Sequence, residues 1–567
     1  MWSRAPFWSL SNRLHHLCGQ QLPCAGPSKS ERCATVSEAM TMRSLLLPIL
    51  SAVLLFTTAA ASGTIPARVK TDKGMVEGEA TLDGKVIAFK GIPYAAAPVG
   101  DLRWAAPAPA PPWSGVRSAH QFGYHCVQSV SYADMAFHDP GPSEDCLTLN
   151  VWTPSAAAPG KLPVMVWIYG GGFSGGSTSE HRQNGQFLAN RNVVVVSMNY
   201  RLGIFGFFVH PELTAESPHH AAGNYGLLDQ NAALQWVKAN ISAFGGDPAN
   251  ITIFGESAGS FSVSAHMASP LSRDLFQKAI GESGGAIASS NPADSAREQR
   301  EKSESDFALA TYGTSKLAEL RRISTEDIIR PIMTARPAPR FGMDVDGWFF
   351  PEQPSRIFAA GQQAHIPLLA GWNADEGRGG IAGSSNKFTA AGFAAQASKD
   401  FPTHTPEFLK LYPNTTEQDA LSSAADYAGD KFIAYSTWRW LEAQVLTGKS
   451  PVYRYLFTLG SPGDRYHTAA SGAFHSDDIE YVFGTLDSRP EALWRPEDRR
   501  LSDEMQLYWT NFARTGDPNG PGIPKWPIYG PTEWQTMHLG ETSGAKADAN
   551  RSRYLFLDSI WDKPSAH

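Results

Sequence analysis

ITIFGESAGSFSVSAH, residues Ile251 to His266, is the stretch on which the reading of the fold turns. A β-branched run, Ile251 to Phe254, passes through Gly255-Glu256-Ser257-Ala258-Gly259 into a proline-free run of small residues. Strand, tight turn and helix in that order lift a serine hydroxyl to a helix N-terminus, the geometry of a nucleophile elbow with the pattern G-x-S-x-G. Two further stretches fit the same pattern, Gly172 to Gly176 around Ser174 and Gly281 to Gly285 around Ser283. Ser174 lies in a glycine-rich loop, Gly170 to Gly176, with nothing helical beside it. Ser283 follows a candidate strand, Lys278 to Ile280, but leads into Gly284-Gly285 and Ser289-Ser290-Asn291-Pro292, which is poor helix material. Context therefore selects Ser257 as the nucleophile, against the plainer reading of a structural turn serine.

The same alternation extends outwards. Val164 to Ile168, Val193 to Ser197 and Ile366 to Ala370 are short apolar runs of the kind that form strands buried on both faces. Between the second run and Ile251 lies a helical pattern, Leu227 to Phe244, with Leu228, Ala232, Leu234, Trp236, Val237 and Ile241 spaced for one face and Gly245-Gly246 ending it. Strand, helix, strand predicts an α/β fold with a central, mostly parallel sheet covered by helices on both faces, and ligands at the carboxyl ends of the strands. Ala105 to Pro112 and Ser155 to Pro163 read as surface connectors, and the region from about Asn291 to Phe350 as mostly helical.

A chain of 567 residues with 42% hydrophobic and 11% aromatic residues can bury a large core. Its net charge of −7 comes without long charge runs, which argues against a nucleic-acid partner or a basic membrane patch. Met40 to Ser44, the apolar run Leu45 to Phe56 and Ala59-Ala60-Ala61 together read as a secretory signal peptide. The run falls short of the roughly 20 residues a spanning helix needs. The expected organisation is a non-native extension at 1–39, a signal peptide at 40–61 and a single catalytic domain at 62–567, secreted or periplasmic. Of five cysteines, three precede the signal, leaving Cys126 and Cys146 as an even pair in an exported chain. A disulfide between them would be worth roughly 3 kcal/mol in the chain-entropy model.

The glycine loop gains a purpose beside Ser257. Attack on an ester carbonyl develops an oxyanion, which backbone N–H donors stabilise. Tyr169-Gly170-Gly171-Gly172 follows one strand run and precedes the nucleophile strand, where such a loop belongs. A phosphate loop is disfavoured, since no Gly-Lys-Ser/Thr follows. An acid and a histidine should come later in the chain. Asp375 and Glu376 both follow the run Ile366 to Ala370, and spacing does not choose between them. His404, His467, His475, His538 and His567 all lie downstream, and spacing prefers none.

Longer stretches narrow these choices. FKGIPYAAAPVGDLRW (Phe89 to Trp104), SEDCLTLNVWTP (Ser143 to Pro154), VMVWIYGGGFSGG (Val164 to Gly176), NYRLG (Asn199 to Gly203), NYGLLDQNAALQWV (Asn224 to Val237), FGGDPANITIFGESAGS (Phe244 to Ser260) and GWNADEG (Gly371 to Gly377) occur in order. They resemble the type-B carboxylesterase family of the α/β-hydrolase fold, which includes carboxylesterases, cholinesterases and bacterial para-nitrobenzyl esterases. The resemblance runs from about Val69 to Leu557.

It implies a nucleophile at Ser257, an acid at Glu376 and a base at His475. It also implies oxyanion donors at the N–H groups of Gly171, Gly172 and Ala258, and a supporting serine at Ser283. Arg103 with Glu144, and Arg201 with Asp229, match structural ion pairs of the family. The implied activity is hydrolysis of small-molecule carboxylic esters through an acyl-enzyme, with no cofactor or metal. The chain departs from cholinesterases in having no tryptophan between Cys126 and Cys146, which argues against a choline-type cation–π site. The runner-up substrate class is esters of polyacids, such as those cleaved by bacterial mycotoxin (fumonisin) esterases of this family, with Arg182, Arg378 and Lys387 as candidate carboxylate binders. The rival from another class is a non-catalytic adhesion protein.

Overall fold

The structure, a computed structural model, describes residues 65–129, 132–157, 160–287, 297–382, 389–465, 467 and 471–561. These lie in the second of two units into which the chain divides, Met1–Ala60 and Ala61–His567. The expected extension and signal peptide, and with them Lys387 and His567, fall outside the described residues.

The central sheet has eleven strands. In chain order they are β1 (Glu79–Ala80), β2 (Val86–Pro93), β3 (Thr148–Pro154), β4 (Leu162–Ile168), β5 (Val194–Met198), β6 (Gly246–Glu256), β7 (Lys278–Glu282), β8 (Leu368–Asn373), β9 (Val452–Phe457), β10 (Gln535–Leu539) and β11 (Gly544–Ala547). Across the sheet they run β11-β10-β9-β8-β7-β6-β4-β5-β3-β2-β1. From β10 to β5 every ladder is parallel, and the outer pairs are antiparallel. The apolar runs read from the sequence form the middle of this sheet, where helices cover both faces and water reaches neither. Val164 to Ile168, Val194 to Val196, Ile251, Ile253, Phe254, Leu368 and Leu369 are fully buried.

Helix α1 (Tyr225–Asn240) leads into a 3-10 turn, Ile241–Phe244, which ends at Gly245 with φ +89°. It buries more than one stripe, since Asp229 and Gln230 are as inaccessible as Leu227 and Leu234. Asp229 is there because Arg201 pairs with it at 2.7 Å, and the Arg103–Glu144 pair closes at 2.5 Å. Cys126 and Cys146 form a disulfide.

Two expectations need correction. The helical region beyond Asn291 comprises α2 (Arg297–Tyr312), a short turn of helix Leu317–Leu320, and α3 (Thr325–Thr334). It stops well before Phe350 because Pro337 and Pro339 carry no N–H to continue it. The connectors are not wholly superficial either: Ala110 and Ala157 are buried, and Leu162 already belongs to β4. Small side chains let those segments lie against the core.

Candidate active site

The chain leaves β4 for β5 on one side, then returns to β6 on the other, so β4 and β6 are neighbours whose connections part in opposite directions. Crevices form at the carboxyl ends of such strands. The glycine loop leaves β4 and Ser257 leaves β6, with Ile168 opposite Gly255 in the ladder. Ser257 adopts φ +52°, and helix α4 (Ala258–Ala268) begins at the next residue. The turn is tied to β7 by the Ser257 N–H, which donates to the Glu282 carbonyl at 2.8 Å. Gly259 is required by contact, since a Cβ there would lie 1.9 Å from the Ile168 carbonyl oxygen.

Three of the residues predicted to act together meet in one chain of hydrogen bonds. His475 Nε2 lies 2.9 Å from Ser257 Oγ, and His475 Nδ1 lies 2.6 Å from Glu376 Oε2. The other Glu376 oxygen accepts from the Ser283 hydroxyl at 2.6 Å and from the Asn373 N–H at 2.9 Å. Glu376 follows β8 by three residues, Ser283 follows β7 by one and Ser257 follows β6 by one. Three neighbouring strand ends therefore converge on the histidine.

The glycine loop abuts the same point. A Cβ on Gly170 would come within 3.0 Å of Ser257 Cβ, and one on Gly171, at φ +106°, would strike the Gly175 carbonyl at 2.2 Å. Ala258 is the first residue of α4, so its N–H has no acceptor within the helix. Phe173, Ser257, Ser283 and Ser476 are four of the nine non-glycine residues with positive φ among the described residues. Such conformations cost of order 1–3 kcal/mol each and persist where the surroundings enforce them. Four of them gather around the serine, the histidine and the glycine loop.

Carboxylates crowd the imidazole. Glu256, almost wholly buried, places Oε1 3.3 Å from His475 Nε2. Burial alone would pull the imidazole pKa down, but Glu256, Glu376 and Asp478 outweigh it and lift it to about 9. Burial pushes Glu256 up to about 8. A proton on the imidazole keeps Glu256 ionised, so the two titrate as a pair. Asp478, also raised by burial and by Glu376, is fixed by the Tyr455 hydroxyl at 3.0 Å. Phe432 closes one side, edge to face with His475 at 5.0 Å between centroids.

The remaining candidates lie elsewhere. Asp375 is turned to the histidine loop rather than to the imidazole: it accepts from the Ala473 N–H at 2.9 Å and pairs with Arg378 at 3.0 Å. Ser174 donates to the Gly172 carbonyl at 3.2 Å in a turn. His467 stacks on Phe474 at 3.9 Å, His404 bonds Thr403 at 2.8 Å, and His538 sits on β10. Arg182 is held by Asp134 at 3.0 Å and Glu180 at 2.8 Å.

Sequence reasoning missed Asn373, Glu256, Asp478 and Phe432. The signal for Asp478 was an acidic pair beside His475, and that for Glu256 its place inside the elbow itself. Phe432, in a π-helical turn Asp430–Ala434, left none. No group of three or more His, Cys, Asp or Glu side chains among the described residues is arranged to hold a metal.

The chain is similar to known proteins over most of its length. The family model described as "Carboxylesterase family" matches residues 66–557. The fumonisin B1 esterase of Sphingopyxis macrogoltabida is 37% identical, over 81% of this chain and 84% of its own length. The para-nitrobenzyl esterase of Bacillus subtilis (strain 168) is 36% identical, over 83% and 94%. The acetylcholinesterase of Bungarus fasciatus is 35% identical, over 83% and 82%.

Proposed function

This chain belongs to the carboxylesterase family and is a carboxylic ester hydrolase; from that premise we propose that it is a serine esterase using Ser257, His475 and Glu376. His475 Nε2 takes the Ser257 proton as Oγ attacks the ester carbonyl, and Glu376 holds the imidazole by Nδ1 and stabilises its charged form. The alkoxide that develops is met by the N–H groups of Gly171, Gly172 and Ala258. Collapse expels the alcohol, which takes the proton back from His475. Water then attacks the acyl-Ser257 ester by the same route, releasing the acid. Ser283 steadies Glu376.

The observation that carries the reading is the unbroken line Ser257 Oγ, His475, Glu376, with contacts of 2.9 and 2.6 Å. It also weighs against an adhesion role, which needs no such line. The test is Ser257→Ala, expected to lower kcat/KM on a p-nitrophenyl ester by on the order of 10⁴-fold or more while leaving the circular dichroism spectrum unchanged. Ser174→Ala is expected to alter neither. Labelling of Ser257 by a fluorophosphonate checks the same assignment, and full turnover in Ser257→Ala would overturn it.

Export follows from the apolar run Leu45 to Phe56, and a disulfide suits an oxidising compartment. Residues 62–567 then form one mature catalytic domain. No helix among the described residues is long and apolar enough to cross a membrane. Amino-terminal sequencing of the mature protein is expected to begin near Ser62. For polyacid esters the support is one relative's name alone: Arg182 is engaged by carboxylates, and Arg378 by Asp375.

A further inference from the structure

A cavity of about 260 Å³ lies beside the base, lined by Phe474 and Ser476, the chain neighbours of His475. It is large enough for a small polar group and several waters. Among the described residues its wall carries five carboxylates and three guanidinium groups. The guanidinium groups are all matched: Arg182 by Asp134 and Glu180, Arg489 by Asp464 at 2.6 Å, and Arg465 by Glu491 at 3.5 Å. Glu480 is left over. It is only 3% exposed, its Oε2 has no hydrogen-bond partner, and its Oε1 reaches Arg489 only at 4.0 Å. Ser488 Oγ, on the same wall, also lacks a partner.

A buried carboxylate oxygen without a donor costs free energy until something supplies one. We propose that this cavity receives an ammonium group carried by the substrate, so that the enzyme prefers esters bearing a cation away from the scissile bond. This rests on Ser257 and His475 as the reacting pair. An ammonium offers donors to Glu480 Oε2 and Ser488 Oγ together, and balances a wall whose carboxylates outnumber its guanidinium groups by two. Burial lifts both Glu480 and Glu180, the latter to about 7, and of the two only Glu480 lacks a close donor. Burial also lowers His181 and His467. A second carboxylate brought here would face Glu480 unpaired. The recognition is by carboxylate and hydroxyl rather than by a ring face, since His467 already covers Phe474.

The test uses two ester series, one varying the alcohol and one the acyl chain, each ending in a primary ammonium, a methyl or a carboxylate. In at least one series the ammonium ester is expected to exceed the methyl ester in kcat/KM by about tenfold at low salt, with the carboxylate ester slowest. Glu480→Gln is expected to erase most of that ratio. Because Glu480 is buried and its variant can fail to fold, Asp134→Asn serves beside it: at a half-open site it removes one of the wall's negative charges and leaves Arg182 with Glu180 alone, lowering the ammonium rate and raising the carboxylate rate. Equal rates across both series, or a ratio unchanged by both substitutions, would overturn the inference while leaving the reading of Ser257 intact. Ser257→Ala, run alongside, reports on that reading separately.

Discussion

Ser257 sits between an eleven-residue strand and an eleven-residue helix, whereas the described residues from 458 to 478, around His475, contain no strand or α-helix. The serine is therefore placed by backbone: the ladder of β6, the Ser257 N–H to β7, and the start of α4. The histidine is placed by side chains that reach in from afar. Asn373 Nδ2 donates to the Phe474 carbonyl at 2.7 Å, Asp375 takes the Ala473 N–H, and Asp477 takes the Ser461 N–H at 3.1 Å. One half of the site is fixed by local geometry and packing, the other by long-range polar contacts. The two halves should fail in different ways.

The sharpest break is on the serine side. Gly259→Ala puts a methyl group 1.9 Å from the Ile168 carbonyl oxygen, where neither strand nor helix can yield. The expected cost is more than about 3 kcal/mol, read as loss of folded protein or a large fall in melting temperature. If Gly259→Ala folds with unchanged stability, the elbow is not held by close packing.

The histidine side should lose chemistry before it loses the fold. Glu376→Gln keeps the shape but no longer stabilises the imidazolium, and is expected to lower kcat by on the order of 10⁴-fold with little change in melting temperature. Asp375→Asn weakens the hold on the loop through the Ala473 N–H and the pair with Arg378, without touching the imidazole, and is expected to cost about tenfold. Ser283→Ala leaves Glu376 with the Asn373 N–H alone on Oε1, and should cost no more than about tenfold. Similar losses in Glu376→Gln and Asp375→Asn would mean that both carboxylates only position the loop.

The same division explains what the sequence reveals. Strand runs, the elbow and the glycine loop depend on neighbours in the chain, so Ile251 to Gly259 and Tyr169 to Gly172 can be read directly. The choice between Asp375 and Glu376, one residue apart at a strand end, depends on which side chain turns towards a loop about 100 positions away. No local pattern contains that, and only resemblance to a family supplied it. Short edge strands such as β1 and β11 were invisible for a related reason: each is defined by its partner rather than by its own residues.

The smallest expected effect is the most diagnostic of how the halves are coupled, because Glu256 belongs to the elbow yet acts on the histidine. His475 must be neutral to accept the Ser257 proton, so activity falls as pH drops through its pKa. That pKa is raised by Glu256, Glu376 and Asp478. Glu256→Gln removes the nearest of these charges to Nε2, 3.3 Å away, so the imidazole holds its proton less tightly and the acid limb of the rate profile moves to lower pH. A shift of about one pH unit, corresponding to roughly 1.4 kcal/mol, is expected, with little change on the plateau. The limb should also become that of a single group, since the carboxyl that shared its proton is gone. A profile unmoved by Glu256→Gln would mean that the elbow supplies the nucleophile's position and no part of the base's charge, and the two halves would then be independent.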